Sequence, residues 1–194
     1  QYLVSCLIKE GFSLDEIIDV GLVKRNYKKE LIFYFQQRIM IPILDNAAKI
    51  IAFGGRVIEN GNPKYINSPE TNLFQKGKQL FGITNAKKLL NDKRLIICEG
   101  YMDVISLHKY GYPALASLGT ALTDEQIHKI FNVADEAFLV FDGDIAGKNA
   151  TLKVYEKYLP KLKFNKKLKF VFLPNNLDPE EFINQKGIDE FEKL

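Results

Sequence analysis

The chain has 194 residues, 46% of them apolar and 26% charged, with a formal net charge of +3. That is the make-up of a chain able to bury one sizeable domain or two small ones, and it excludes a disordered tail. No stretch approaches 18 uncharged apolar residues, so no membrane partner is expected, and two cysteines (Cys6, Cys98) with two histidines leave no zinc-site spacing.

The opening QYLVSCLIKEGF has no initiator Met, basic leader or cleavage site, and is expected to begin a piece of a longer chain in a reducing cytoplasm. Residues 1–20 predict two short helices, the second opened by the capping-box pattern Ser13-Leu14-Asp15-Glu16 and closed at Gly21. From 31 to 58 the pattern is β: LIFYF, RIMIPI and KIIAFGGRV, the last two joined by a DNAAK hairpin loop, with Gly54-Gly55 expected to mark a bulge. ENGNP at 59–63 is a turn cluster, and residues 64–83 predict an ordered functional loop without regular structure. A short helix follows near 84–91. The character then changes, and a boundary is expected near 92. Short apolar runs LIIC, PALAS, AFLVF and KFVFL alternate with helical stretches near 101–111, 123–132 and 145–159. This alternation predicts an α/β unit whose parallel strands are joined by crossover helices, after a mixed first half. The lysine-dense LKVYEKYLPKLKFNKKLK predicts a solvated helix face and turn.

Charge is unevenly spread. Between 46 and 91, Lys49, Arg56, Lys64, Lys76, Lys78, Lys87 and Lys88 face only Glu59 and Glu70, whereas the second half is near neutral. A basic middle beside an acidic cluster suits a polyanion bound next to a metal site, although composition alone favours a solvated lysine surface. In VFDGDIAGKNA, Asp142 and Asp144 lie one residue apart at the end of an apolar run, where like charges repel unless a cation or helix N-terminus sits between them. An EF-hand loop is excluded, since its fifth position is Ala146 and its twelfth is Lys153. Ligands in open parallel sheets collect at the carboxyl ends of strands. That rule gathers Glu99 after LIIC, Asp142 and Asp144 after AFLVF, and Asp178 beyond KFVFL. An all-oxygen set suits Mg²⁺ or Mn²⁺ rather than zinc. Asp144 and Asp178 also fit plain helix caps. His108 and His128 fall in predicted helices away from any nucleophile and are read as structural. Tyr65, Phe74 and Phe81 interleave with lysines as a base-stacking surface would, or anchor the loop.

CEGYMDVISLHKYGYPALASLGTALTDEQ followed by LVFDGDIAGKNA resembles the Toprim domain of bacterial DnaG-type DNA primases, and RIMIPILD with IIAFGGRVIENGNPKYINSPETNLFQKGKQLFGI resembles the basic N-terminal subdomain of their RNA polymerase core. The resemblance implies residues 1–92 as a template- and nucleotide-binding subdomain and 93–194 as a Toprim catalytic domain continuing further. It implies a DNA-directed RNA polymerase that makes RNA primers on single-stranded DNA from ribonucleoside triphosphates at the replication fork. A Toprim nuclease, a topoisomerase with Tyr101 as nucleophile, or a non-catalytic nucleic-acid-binding module are the alternatives. By resemblance Glu99, Asp142 and Asp144 are catalytic and hold two or more metal ions, Asp178 and Glu180 supply the Asp-Pro-acid motif with Asp178 as a further ligand, and Arg38, Arg56, Lys64, Asn67 and Lys76 contact template or nucleotide. SLGTAL (117–122) matches a strand-to-helix turn of the family. Of the family's arginines before the third strand pattern only Arg38 remains, with Tyr34 and Gln36 at the other positions. A helicase and a zinc-binding module are implied partners through regions outside these residues, with no zinc here.

Overall fold

Two short helices, α1 (Tyr2–Lys9) and α2 (Leu14–Asp19), open the chain in the computed structural model, which describes residues 2–59, 61–119 and 121–194. Parts of the ENGNP and SLGTAL turns thus lie outside the described residues. The expected capping box forms: Ser13 Oγ accepts the Glu16 N–H at 3.2 Å and the Glu16 carboxylate accepts the Ser13 N–H at 2.8 Å. Val4 and Ile17 from these helices bury with Val23 of β1 (Val23–Arg25), which pairs antiparallel with β2 (Leu31–Phe33). Gly21 ends this segment with φ +74, and a side chain there would meet Pro69 at 2.5 Å.

The hairpin forms from β3 (Arg38–Leu44) and β4 (Ile50–Val57), and β5 (Tyr65–Asn67) adds to β4. Two expectations are corrected by this sheet and its flank. Gly54 and Gly55 pair in regular register with Ile41 and Met40, and the irregularity falls between Ile43 and Leu44. A Cβ on Gly55 would meet Phe35 at 2.7 Å, so that glycine serves close packing. The 64–83 segment is also less irregular than expected, containing β5 and a single 3₁₀ turn at Lys76–Lys78. Phe74 within it is fully buried, which removes it as a stacking surface.

Contacts divide the chain into two compact units, residues 1–75 and 76–194. The division precedes the compositional change near 92 because Leu80 and α3 (Ile83–Leu89), through Ile83 and Ala86, are buried in the core of the second unit. That unit is built on β6 (Arg94–Cys98), β7 (Ala114–Ala116), β8 (Glu136–Phe141) and β9 (Lys167–Phe172), all parallel and ordered β7-β6-β8-β9. Between them run α4 (Tyr101–Lys109), α5 (Asp124–Val133) and α6 (Ile145–Tyr158), and α7 (Pro179–Lys186) and α8 (Ile188–Glu192) close the chain. Alternate strand residues divide between two faces. Leu95, Ile97, Leu115, Ala137 and Leu139 bury against Ile127 and Ile130 of α5 and Val154 and Tyr158 of α6. Ile96, Phe138, Val140 and Val171 turn the other way and line a cavity with Tyr112 and Phe191. The buried core on the first face makes this sheet the rigid platform for what lies at its edge.

Candidate active site

β6 and β8 end side by side, Ile97 opposite Leu139, and the first polar residues past their ends are Glu99 and Asp142. The Asp142 backbone N–H acts to lower the Glu99 carboxyl, offsetting part of the rise that burial brings. One Glu99 oxygen, Oε1, is buried and has no hydrogen-bond partner among the described residues. Burial pushes the Glu99 carboxyl above the usual carboxylate range, and Asp144 adds to the rise. Asp142 is pushed up to about 6 by burial and then by Glu99, Asp178 and Asp144. The sheet edge thus concentrates negative charge that wants neutralising.

Two glycines allow the approach. Gly147, in the first turn of α6, lies so close to the preceding strand end that a Cβ would meet the Asp142 carbonyl oxygen at 2.1 Å. Gly143 would meet the Leu173 carbonyl at 2.4 Å, and its N–H donates to Leu177 O at 3.0 Å, which draws the start of α7 toward Asp142. Asp144 caps α6, its Oδ1 accepting the Gly147 N–H at 2.7 Å, and Asp178 caps α7, its Oδ1 accepting the Glu181 N–H at 2.6 Å. The capping and metal-facing readings are compatible, because a carboxylate offers about four acceptor sites and a cap uses one.

Asp103 is the residue that sequence reasoning missed. Only 5% exposed, its Oδ2 accepts the Gly100 N–H at 3.1 Å and its Oδ1 accepts the Glu180 N–H at 3.2 Å, tying the start of α4 to the start of α7. Burial, then Asp178, pushes its carboxyl up to about 7. The signal was an acid at the third helical position after Gly100, a capping-box place where Glu or Gln is the usual cue. Glu180 contributes its backbone to this bond. Among the described residues no three acidic, histidine or cysteine side chains are drawn into a closed metal cage.

The expected binding residues lie apart from this edge in the sequence. Arg38 is half-buried, and its guanidinium donates to the carbonyls of Gly55 at 3.2 Å, Lys64 at 3.3 Å and Pro63 at 2.8 Å, so it braces β3 against the 63–64 segment. Arg56 and Lys64 flank the Tyr65 ring at 5.9 and 5.7 Å and line one open pocket with Glu59. Asn67 lies in β5 opposite Gly54. Lys76 opens the 3₁₀ turn of the second unit. Phe81, 9% exposed, packs edge-to-face on Tyr101 at 4.7 Å, which corrects its reading as a stacking platform. Burial pushes the Tyr101 phenol far up, which unsuits it as a nucleophile. His108 Nε2 lies 2.8 Å from Ala114 O, a structural tie.

Residues 1–87 match the family model described as the N-terminal domain of the DNA primase catalytic core, and residues 93–172 match the Toprim domain. The chain belongs to the DNA primase family. The DNA primase of Pasteurella multocida is 43% identical over 180 residues, covering 92% of this chain and 31% of that protein. A DNA primase domain from Pseudomonas aeruginosa superposes with a TM-score of 0.89 at 39% identity, over 96% of this chain and 60% of the other. A DnaG primase catalytic domain solved bound to single-stranded DNA gives 0.88 at 38% identity, with the same 96% and 60% coverage. The chain therefore spans about a third of its curated primase relatives. Toprim and primase cores are metal-dependent, and the two matched segments together cover most of this chain, with Glu99, Asp142 and Asp144 inside the second and Asp178 beyond it.

Proposed function

We propose that this chain is the catalytic core of a replicative primase, a DNA-directed RNA polymerase that copies single-stranded DNA into short RNA from ribonucleoside triphosphates. The observation that carries it is the buried, partnerless Glu99 Oε1 beside Asp142 at the carboxyl edge of a Toprim sheet. An oxygen-only donor set with mutual repulsion fits a hard divalent cation. Glu99, Asp142 and Asp144, with Asp178 beside them, would hold Mg²⁺ or Mn²⁺, two or more ions. Held there, a divalent cation would supply the positive charge that lowers the pKa of a 3′-hydroxyl and neutralises a triphosphate. The residues themselves shape this edge: Gly147 seats the strand end against α6, Gly143 seats it against the segment leading into α7, and Asp103 sets the entry of α7.

Residues 1–92 would position template and nucleotide, and residues from 93 onward would supply the chemistry. Arg56, Lys64, Asn67 and Lys76 are assigned to phosphate and template contacts, which hold a strand without reading its bases. Arg38 supports Lys64 by bonding the Pro63 and Lys64 carbonyls. The single strand in the solved relative supports the template assignment. Replicative helicase and a zinc-binding module would engage other parts of the protein, in the cytoplasm at the replication fork. No helix among the described residues is long and apolar enough to cross a membrane.

Single-stranded DNA, labelled ribonucleotides and Mg²⁺ or Mn²⁺ incubated with the chain should yield labelled RNA. Cleavage of the DNA instead would favour a Toprim nuclease, and retention without product a binding module.

A further inference from the structure

Four successive carbonyls, those of the basic 3₁₀ turn and of Gln79 after it, are bonded by side chains of α5 and its N-cap. Gln126, fully buried, donates through Nε2 to Lys76 O at 3.0 Å and to Gln79 O at 2.7 Å. Thr123 Oγ1 donates to Gly77 O at 2.6 Å, and Lys129 Nζ donates to Lys78 O. The same Thr123 and Gln126 form the α5 capping box, Thr123 Oγ1 accepting the Gln126 N–H at 3.1 Å and Gln126 Oε1 accepting the Thr123 N–H at 3.0 Å. Both side chains are thus fixed at two ends, by the helix they start and by the segment they hold. A buried amide that spends its acceptor and both donors in this way is costly to bury otherwise.

In a trans peptide the C=O of one residue and the N–H of the next point in opposite directions. Carbonyls of residues 76–79 directed at α5 therefore aim the N–H groups of Gly77 and Lys78 away from it. Lys78 is exposed and Lys76 half-exposed. A segment carrying two lysines with its peptide dipoles turned this way is organised for a phosphate oxygen.

We infer that Thr123 and Gln126 are positioning residues that pre-organise Lys76–Lys78 as a phosphate-binding segment, for a nucleic-acid phosphodiester or a nucleoside triphosphate. The inference rests on the reading of Lys76 as a nucleic-acid contact and adds the device that orients it. Its signature is that an uncharged substitution behind the segment acts as if lysines had been removed.

The test uses the full chain with Gln126→Leu, alone and in a background carrying Lys76→Ala and Lys78→Ala. Binding of a labelled oligothymidylate and of ATP is measured separately across a salt series, at temperatures where melting curves show each variant folded. Gln126→Leu should weaken one ligand or both about tenfold, within the range of coupling between neighbouring groups. It should also flatten the salt slope toward that of the lysine variant, and change affinity less than about twofold once the lysines are gone. Loss for the oligonucleotide alone assigns the segment to the strand, and loss for ATP alone assigns it to the triphosphate. Wild-type affinity in Gln126→Leu with weakened binding in the lysine variant overturns the clamp and leaves the phosphate reading standing. Wild-type binding of both ligands by the lysine variant overturns both. Should Gln126→Leu fail to fold, Thr123→Val and its rescue Thr123→Ser take its place: Val must weaken binding and Ser restore it, and equal binding by the two overturns the inference.

Discussion

A buried carboxylate oxygen without a partner is rare in a folded protein, because leaving it so forfeits the solvation it had in water. Among the described residues Glu99 Oε1 is such an atom, and Asp142 beside it is raised to about 6. Glu99→Gln and Asp142→Asn should therefore each lower the proposed primer synthesis by about two orders of magnitude or more. Removing a repelling charge should leave the melting temperature of the metal-free chain unchanged or higher, a result that a mainly structural role would reverse. Gly147 gives a contrasting case. Its missing Cβ would lie 2.1 Å from a backbone oxygen that cannot swing aside, so Gly147→Ala should destabilise by about 3 kcal/mol in a denaturant titration and reduce activity through displaced Asp142. At this scale the acids at the strand ends were legible in the sequence, since an apolar run that stops at Glu or Asp announces itself. Asp103 was not, because inside a helical pattern its burial depends on α7, which is 77 positions away in its bonding partner Glu180. Arg38 was legible as a basic residue but not as a brace, since its three carbonyl partners come from segments 17 to 26 positions on.

Elements place these side chains, and two of the acids also hold their own helices in place. Asp178 separates the roles cleanly. Asn caps a helix about as well as Asp, whereas Ala loses about 1 kcal/mol of cap. Asp178→Asn should keep the thermal stability of the parent yet bind Mn²⁺ more weakly in a calorimetric titration, and Asp178→Ala should lose both. Equal Mn²⁺ affinity in parent and Asn variant would reduce Asp178 to a cap. The parallel strands were readable because strands covered on both faces are nearly continuous apolar runs. β1 and β5 escaped notice since three residues carry no period, and each exists through pairing with a neighbouring strand. Phe74 and Phe81 were ambiguous for a related reason: spacing among lysines says nothing about which way an aromatic ring turns.

On the scale of the molecule, charge decides how binding and stability respond to conditions. Arg56, Lys64 and Lys76 are assigned to phosphate contacts, so replacing any one with Ala should weaken single-strand binding and reduce the salt slope by about 0.7 log units per decade. An unchanged slope would make them solvated surface. Composition exposed the basic stretch but placed the change of character near 92, because α3 is itself basic through Lys87 and Lys88 while its apolar face belongs to the second unit.

The acidic edge makes a further prediction, for pH. Asp142 is raised to about 6 and Asp103 to about 7, both chiefly by burial, against about 3.9 for an unfolded Asp. A raised carboxyl favours the folded state while protonated, so its contribution is complete below about pH 4 and is lost as pH rises through 6 and 7. The metal-free chain should thus melt at a lower temperature at pH 8 than at pH 5. Asp124 and Asp135 are lowered by their lysine partners and act in the opposite direction, but only below about pH 4, outside this range. His108, lowered by burial, opposes the trend as it protonates toward pH 5, which makes a fall by pH 8 the more telling. On the proposed reading, a divalent cation would replace protons as the source of positive charge. Added Mg²⁺ should therefore raise the melting temperature more at pH 8 than at pH 5, and Asp142→Asn should shrink both the pH dependence and the Mg²⁺ effect. Melting curves at the two pH values, with and without Mg²⁺, decide it: a metal-free chain more stable at pH 8, with the Asn variant following the same course, would mean that the carboxylates are neutralised from within the fold.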